Sequence, residues 1–284
     1  MLKQRIITAL VLLLFLLPAL FHHDTLYWRL VTLALIVAAG WEWGRLNGLG
    51  QWTSWSGAFA SLVACVMAWD LGLLGKPQPL LWTVAGGIWV LAGAALLKAG
   101  VARWGALPRS LRLAGGWLAL WLTWLAVVQA REIGITFLLS VLLLVWMADI
   151  AAYFAGKALG GRFSRGKLAP SISPGKSWEG VWGGMAGVVV LALVWLALER
   201  VGVLPPPSLY GHLVSSGGWA LLLLAVLFLA TMSVVGDLVE SLVKRSAGMK
   251  DSSRLLPGHG GVLDRVDALL PTLPLALMLY ALTR

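Results

Sequence analysis

Apolar residues along this chain gather in runs long enough to cross a bilayer as helices, which takes about 20 residues each. They occupy 6–21, 26–44, 54–70, 79–97, 114–130, 133–156, 180–199, 217–236 and 262–282. The pattern predicts an all-α, polytopic integral membrane protein of about nine transmembrane helices. The first run follows "MLKQR" as a signal peptide would, but "LLPALFHHD" offers no small-x-small cleavage site before the next span, so it is expected to stay as a helix. No period of 20 to 50 residues repeats, and no duplicated half of the transporter kind is present. Residues 1–284 therefore read as one domain, with 1–130 as helical scaffold and 131–284 as the catalytic half.

Composition agrees, with 60% of residues hydrophobic, 12% charged and a mean hydropathy of +0.86. Charge adds orientation, because cations are retained in short cytoplasmic loops. With the N-terminus inside, 17 of the 22 Lys and Arg fall on the inner side, leaving Arg29, Lys76, Arg131, Arg200 and Arg284 outside. The expectation is a cell (inner) membrane protein with cytoplasmic loops at 98–112 and 157–178 and an external C-terminus. The net charge of +10 reads as this retention signal plus attraction to an anionic leaflet. No nucleic-acid-binding motif accompanies the cations, so nucleic acid is not an expected partner. The single Cys65 allows no intramolecular disulfide and implies no cysteine metal site. The 17 Trp, as in "LYWRL" and "GWEWGRL", read as interfacial anchors.

Intramembrane charges look sparse before residue 140 and dense after it, so candidate chemistry lies in the second half. Asp149 and, one turn on, Tyr153 sit late in an apolar helix, where a carboxylate needs a partner, a metal or a pairing lysine. The loop "GGRFSRGKLAPSISPGKSWEG" could wrap an anion with backbone N–H groups, Lys167, Ser173 and Lys176, although topology retention alone would also explain the lysines. Ser177 at its end equally suits a helix cap. Further on, Asp237, Glu240, Ser241 and Lys244 fall at i, i+3, i+4 and i+7 and share one helix face. A solvent-facing stripe is the plain alternative. In "PGHGGVLDRVD" the glycines permit a tight path that brings His259, Gly260 and Gly261 close to a ligand such as phosphate, with Asp264, Arg265 and Asp267 opening the last helix. His259 could hydrogen-bond a phosphate or brace the loop.

Carboxylates beside a phosphate site repel the ligand unless a divalent cation lies between them, and oxygen ligands with phosphates point to Mg²⁺. Asp237 and Asp264 are the candidate metal ligands. Lys244, Arg245 and Lys250 are placed to neutralise phosphate charge. The constellation predicts phosphoryl or nucleotidyl transfer at the cytoplasmic face.

Residues 241–267, "SLVKRSAGMKDSSRLLPGHGGVLDRVD", resemble the C-terminal signature of the phosphatidate cytidylyltransferases, or CDP-diacylglycerol synthases. Ser241, Lys244, Arg245, Lys250, Asp251, Ser253, Pro257, His259, Gly260, Gly261, Asp264, Arg265 and Asp267 all fit that pattern. "SPGKSWEG" and the Asp149–Tyr153 stretch also look like the family. The resemblance implies transfer of CMP from CTP to phosphatidic acid, giving CDP-diacylglycerol and pyrophosphate in phospholipid biosynthesis. It further implies Mg²⁺, a homodimer, and catalytic roles for Asp237, Asp264, Lys244, Arg245 and Lys250; a second, monovalent cation such as K⁺ is left open. Two features depart from the pattern: Ile150 and Ala151 replace an expected small hydroxyl and glycine, and the basic loop between Lys157 and Lys167 is a few residues longer. The competing classes are an ion path lined by Asp149, Asp237 and Asp264, and another CTP-using enzyme such as a polyprenol kinase, which would leave CDP instead of pyrophosphate.

Overall fold

A computed structural model describes residues 2–164 and 166–284; Arg165, counted among the inner cations, lies outside the described residues. The elements are α1 (Leu2–Phe21), α2 (Leu26–Leu46), α3 (Gln51–Asp70), α4 (Pro79–Ala106), α5 (Arg109–Ile133), α6 (Ile135–Leu159), β1 (Lys167–Ala169), β2 (Ser173–Ser177), α7 (Trp178–Arg200), α8 (Leu209–Ser246), α9 (Leu263–Val266) and α10 (Leu269–Leu282). The apolar runs fall in helix, as they must where no water is available to satisfy backbone N–H and C=O groups, except that the last run, 262–282, is broken by a turn at Asp267–Ala268 into α9 and α10. Two helices run past the expected spans, and each is interrupted at glycine, α4 at Gly100 and α8 at Gly217–Gly218. The one departure from all-α among the described residues is the antiparallel β1–β2 hairpin, which pairs Lys167 with Ser177 and Ala169 with Ser173 where a loop was expected.

Among the described residues seven helices are long and apolar enough to cross a membrane, counting α9 and α10 together as Leu263–Leu282; α2 and α3 are not among them. Their ends nevertheless alternate with the rest. At one end of the bundle Arg131 donates to the carbonyls of Leu20 and His22, Glu132 pairs with Arg29, and the Gln129 amide donates to the carbonyls of Leu73 and Lys76. At the other end Trp104 donates to Asn47 and Arg109 to the Gly48 carbonyl, while Arg5 and Thr8 reach the carbonyls of Gly258 and Pro257. Helices α2 and α3, each about 30 Å long at 1.5 Å per residue, thus run between the same two ends as their neighbours.

Side chains of α5, α6, α8 and α10 fill the centre, among them Leu125, Phe137, Leu229 and Leu275. Small residues of α7, Gly180, Gly184 and Gly187, lie against Ala148, Ala151 and Ala152 of α6. The tryptophans divide in a way their positions did not predict. Trp52, Trp182 and Trp219 are exposed, whereas Trp28, Trp43, Trp82, Trp104 and Trp124 are buried. Several of the buried ones place their indole N–H on a partner, as Trp43 does on the Arg112 carbonyl and Trp82 on the Gln129 side chain. A large ring with one polar atom packs well in a core when that atom is satisfied.

Candidate active site

Three segments meet at the Arg5 end of the bundle: the β1–β2 hairpin, the last turns of α8, and the chain from Lys250 to Asp267. The second half of α8 is apolar until Asp237 and then shows the expected polar face. Asp237 Oδ1 accepts from the Ser241 hydroxyl at 3.2 Å, one turn along, and Glu240 pairs with Lys244 in the same register. That face is no solvent stripe, since Glu240 is 2% exposed.

The hairpin supplies the next partner. Lys176 in β2 reaches Asp237 Oδ2 at 2.5 Å, both side chains being about a quarter exposed. Arg245, itself exposed, donates to the Ile172 carbonyl in the hairpin turn at 3.3 Å. The hairpin leads into α7 through Ser177, whose hydroxyl accepts from Gly180 N, so its role as a helix cap is met. Glu179, in the same first turn, accepts from Phe163 N, Ser164 N and the Ser164 hydroxyl and holds the loop that follows α6.

The third segment is organised around Asp264. Its Oδ1 lies 2.6 Å from Lys244 Nζ, while its Oδ2 accepts from Ser252 N, the Ser252 hydroxyl and Gly261 N at 2.9, 2.9 and 2.7 Å. Lys244 is therefore fixed between Glu240 and Asp264 and is mostly buried. The "PGHGG" turn closes with Leu256 N on Gly260 O and His259 N on Leu256 O, and Gly258 and Gly260 take positive φ. A Cβ at Gly260 would stand 2.5 Å from Asp264 Oδ2, so the carboxylate comes this close only because glycine is there.

Other expected residues are less engaged. Asp149 and Tyr153 are exposed on α6, and among the described residues Asp149 takes no hydrogen bond, so the lysine pairing its sequence allowed is not made. Lys157 lies over the Tyr153 ring. Lys167, Lys250 and Arg265 are exposed, Ser173 is half-buried, and the His259 ring makes no hydrogen bond among the described residues. Asp267 Oδ1 accepts from Ala268 N at the start of α10. An apolar hollow of 360 Å³ lined by Leu97, Leu168, Ile172, Trp178 and Leu238 adjoins the hairpin. A larger one of 460 Å³, lined by Lys76, Trp82, Gln129 and Arg284, lies at the opposite end of the bundle, away from these carboxylates.

A sequence profile described as the Cytidylyltransferase family matches residues 3–283. The chain belongs to that family. Proteins named phosphatidate cytidylyltransferase resemble it over nearly their whole length: that of Pseudomonas aeruginosa is 41% identical, with 99% of this chain and 98% of the relative covered. That of Haemophilus influenzae is 34% identical with 96% of each covered. The Bacillus subtilis protein of the same name is 42% identical over 53% of this chain and 49% of its own length. The full-length matches show that residues before 140, and not only the signature, belong to the family's pattern.

That first half supplies what the sequence reading missed. Glu42 in α2 is fully buried and accepts from Ser252, Ser253, Val262 and Leu263. It lies within the 26–44 run, where a lone carboxylate is as costly as Asp149 is in its own, and that cost was the available signal.

The donor set suits Mg²⁺ in part. Asp237 and Asp264 offer only oxygen, and each meets a lysine ammonium, a positive charge standing where a divalent cation could bind. Among the described residues no group of three or more His, Cys, Asp or Glu is placed to hold a metal. Asp237 and Asp264 are thus the carboxylates on offer among the described residues, and Mg²⁺ is ordinarily bound by one or two carboxylates with substrate phosphates and water.

Proposed function

We propose that this chain is a phosphatidate cytidylyltransferase, making CDP-diacylglycerol and pyrophosphate from CTP and phosphatidic acid. The observation that carries the reading is the convergence of Lys176, Asp237, Ser241, Lys244 and Asp264 at one end of an apolar helical bundle in a chain of the cytidylyltransferase family. The relatives bearing that activity in their names support it.

Phosphatidate brings its own nucleophile. A phosphate monoester has a second pKa of about 6, so near neutral pH it is largely dianionic and needs no strong general base. A phosphatidate oxygen bonds to the α-phosphorus of CTP, the bond from that phosphorus to the α–β bridging oxygen breaks, and pyrophosphate leaves with the electron pair. The protein's task is to bring two anions together in line. Lys176, released from Asp237, and the exposed Lys250 and Arg245 offer positive charge at the site. Asp237 and Asp264 would hold Mg²⁺, which when bound supplies neutralisation of phosphate charge. The apolar hollow beside the hairpin suits acyl chain. The reading includes a cell inner membrane location with the N-terminus and this site cytoplasmic, and a homodimer.

The test is purified protein in detergent with CTP, Mg²⁺ and phosphatidate. Equal release of pyrophosphate and a CDP-lipid is expected. Release of CDP with a phosphorylated lipid would make it a kinase instead, and a folded preparation with no turnover would sink the enzyme reading.

A further inference from the structure

We infer that Glu42 is the positioning residue of the Asp264 loop, a clamp contributed by the half of the chain that carries no signature motif; its effect on turnover rests on the cytidylyltransferase reading. Its carboxylate meets three donors of its own and shares a fourth, the single Ser252 hydroxyl proton, with Asp264; they come from both sides of the "PGHGG" turn. Oε1 accepts from the Ser253 hydroxyl at 2.5 Å and Val262 N at 3.0 Å, and Oε2 from Leu263 N at 2.7 Å and the Ser252 hydroxyl at 3.2 Å. No cation pairs with it among the described residues, and it is 0% exposed. Two stretches of one loop are thereby tied to a single point on α2.

The tie reaches the chemistry through Ser252. Its hydroxyl lies between Glu42 Oε2 and Asp264 Oδ2, and its backbone N–H also donates to Asp264. Gly261 donates its N–H to the same oxygen, and a Cβ there would stand 2.0 Å from Ser252 Oγ and 2.4 Å from Glu42 Oε1. Glu42, Ser252, Gly261 and Asp264 are thus packed in direct contact, so the direction in which Asp264 points is set by where Glu42 holds the loop. Helix α1 adds a weaker hold on the same turn through Arg5 and Thr8. A buried carboxylate is a costly way merely to join two helices, which apolar side chains do at lower cost. Three donors and a shared hydroxyl proton converging on one acceptor pair instead specify a loop geometry.

Glutamine at this position keeps the volume but presents an NH₂ to groups that are themselves donors. The experiment compares full-length Glu42→Gln, Glu42→Asp and Ser253→Ala in detergent with a control at the opposite end, Gln129→Leu. That control removes another buried hydrogen-bonding hub, which serves Leu73, Lys76 and Trp82. Two quantities are read: hydrogen–deuterium exchange of the 250–265 segment without substrate, and kcat and KM for CTP. Glu42→Gln should raise exchange in that segment at least tenfold and lower kcat at least thirtyfold, with Glu42→Asp recovering part of both. Gln129→Leu should leave the segment's exchange and kcat within threefold even where its thermal stability falls as far. Unchanged exchange in Glu42→Gln, or faster exchange with kcat within threefold, would overturn the proposal. If Glu42→Gln does not fold, Ser253→Ala, which removes one of the donors that Glu42 does not share, carries the same test at about a threefold to tenfold effect, and no effect there overturns it. Exchange needs no substrate, so a parent protein without cytidylyl transfer would remove the assigned reaction while the exchange result still decides the clamp.

Discussion

Asp237→Asn separates the catalytic reading of the carboxylates from a structural one. Asp237 has two partners, Lys176 at 2.5 Å and Ser241 at 3.2 Å, and about a quarter of its side chain is exposed. The amide keeps the shape and can still accept from Ser241, so folding loses one partly solvated ion pair, worth about 0–1 kcal/mol. At roughly 2–4 °C per kcal/mol for a chain approaching this size, the fall in Tm is expected to be a few degrees at most. Turnover is a different matter. Losing a charge that organises phosphate chemistry should cost about 10²–10³ in kcat, or roughly 2.7–4 kcal/mol of transition-state stabilisation, and the dependence on Mg²⁺ should shift to higher concentration. The assay is CDP-diacylglycerol formation across a Mg²⁺ titration, with thermal unfolding in the same detergent. A variant with kcat within threefold of the parent and an unchanged Mg²⁺ profile would reduce the Lys176–Asp237 pair to a bracket between hairpin and helix, and would refute the reasoning.

Asp264→Asn should fail on both counts, because its side chain is 5% exposed and serves Ser252, Gly261 and Lys244 together. One amide cannot accept at both oxygens, so a stability loss of about 1.5–3 kcal/mol should accompany the loss of turnover; full stability in thermal unfolding would contradict the contact pattern. Gly116→Ala should destabilise, since the added Cβ would lie 1.8 Å from Trp43 Cε2. Overpacking of this kind costs about 1–3 kcal/mol, read as a lower Tm, and an unchanged Tm would mean that α2 and α5 can part freely. For orientation, with Cys65 replaced, a cysteine at Val203, which is 64% exposed, should react with an impermeant thiol reagent applied outside, and one at Ser110 should not. The reverse labelling would place the carboxylates on the side without CTP.

Much of the fold was legible because it depends on local pattern. A run of apolar residues long enough to cross a bilayer has little choice but helix, and the runs are helical, even α2 and α3 with their lower hydropathy, with only the last one broken, between α9 and α10. The face carrying Asp237, Glu240, Ser241 and Lys244 follows from helical spacing, and the Asp237–Ser241 and Glu240–Lys244 contacts are i to i+4 neighbours. The Ser177 cap is likewise local.

What lay beyond the sequence is each partnership made across the chain. Lys176 and Asp237 stand 61 residues apart, Glu42 and Ser252 stand 210 apart, and no periodicity relates such positions. The tryptophans show the same limit, since Trp43 and Trp52 look alike as residues near helix ends, yet α5 packs over the first and leaves the second exposed. A residue's chemistry and its local spacing determined which groups could act here. Which of them meet, and that a carboxylate of the first half holds the loop of the second, was decided only when the packing of helices from both halves brought buried polar atoms together and left each needing a partner.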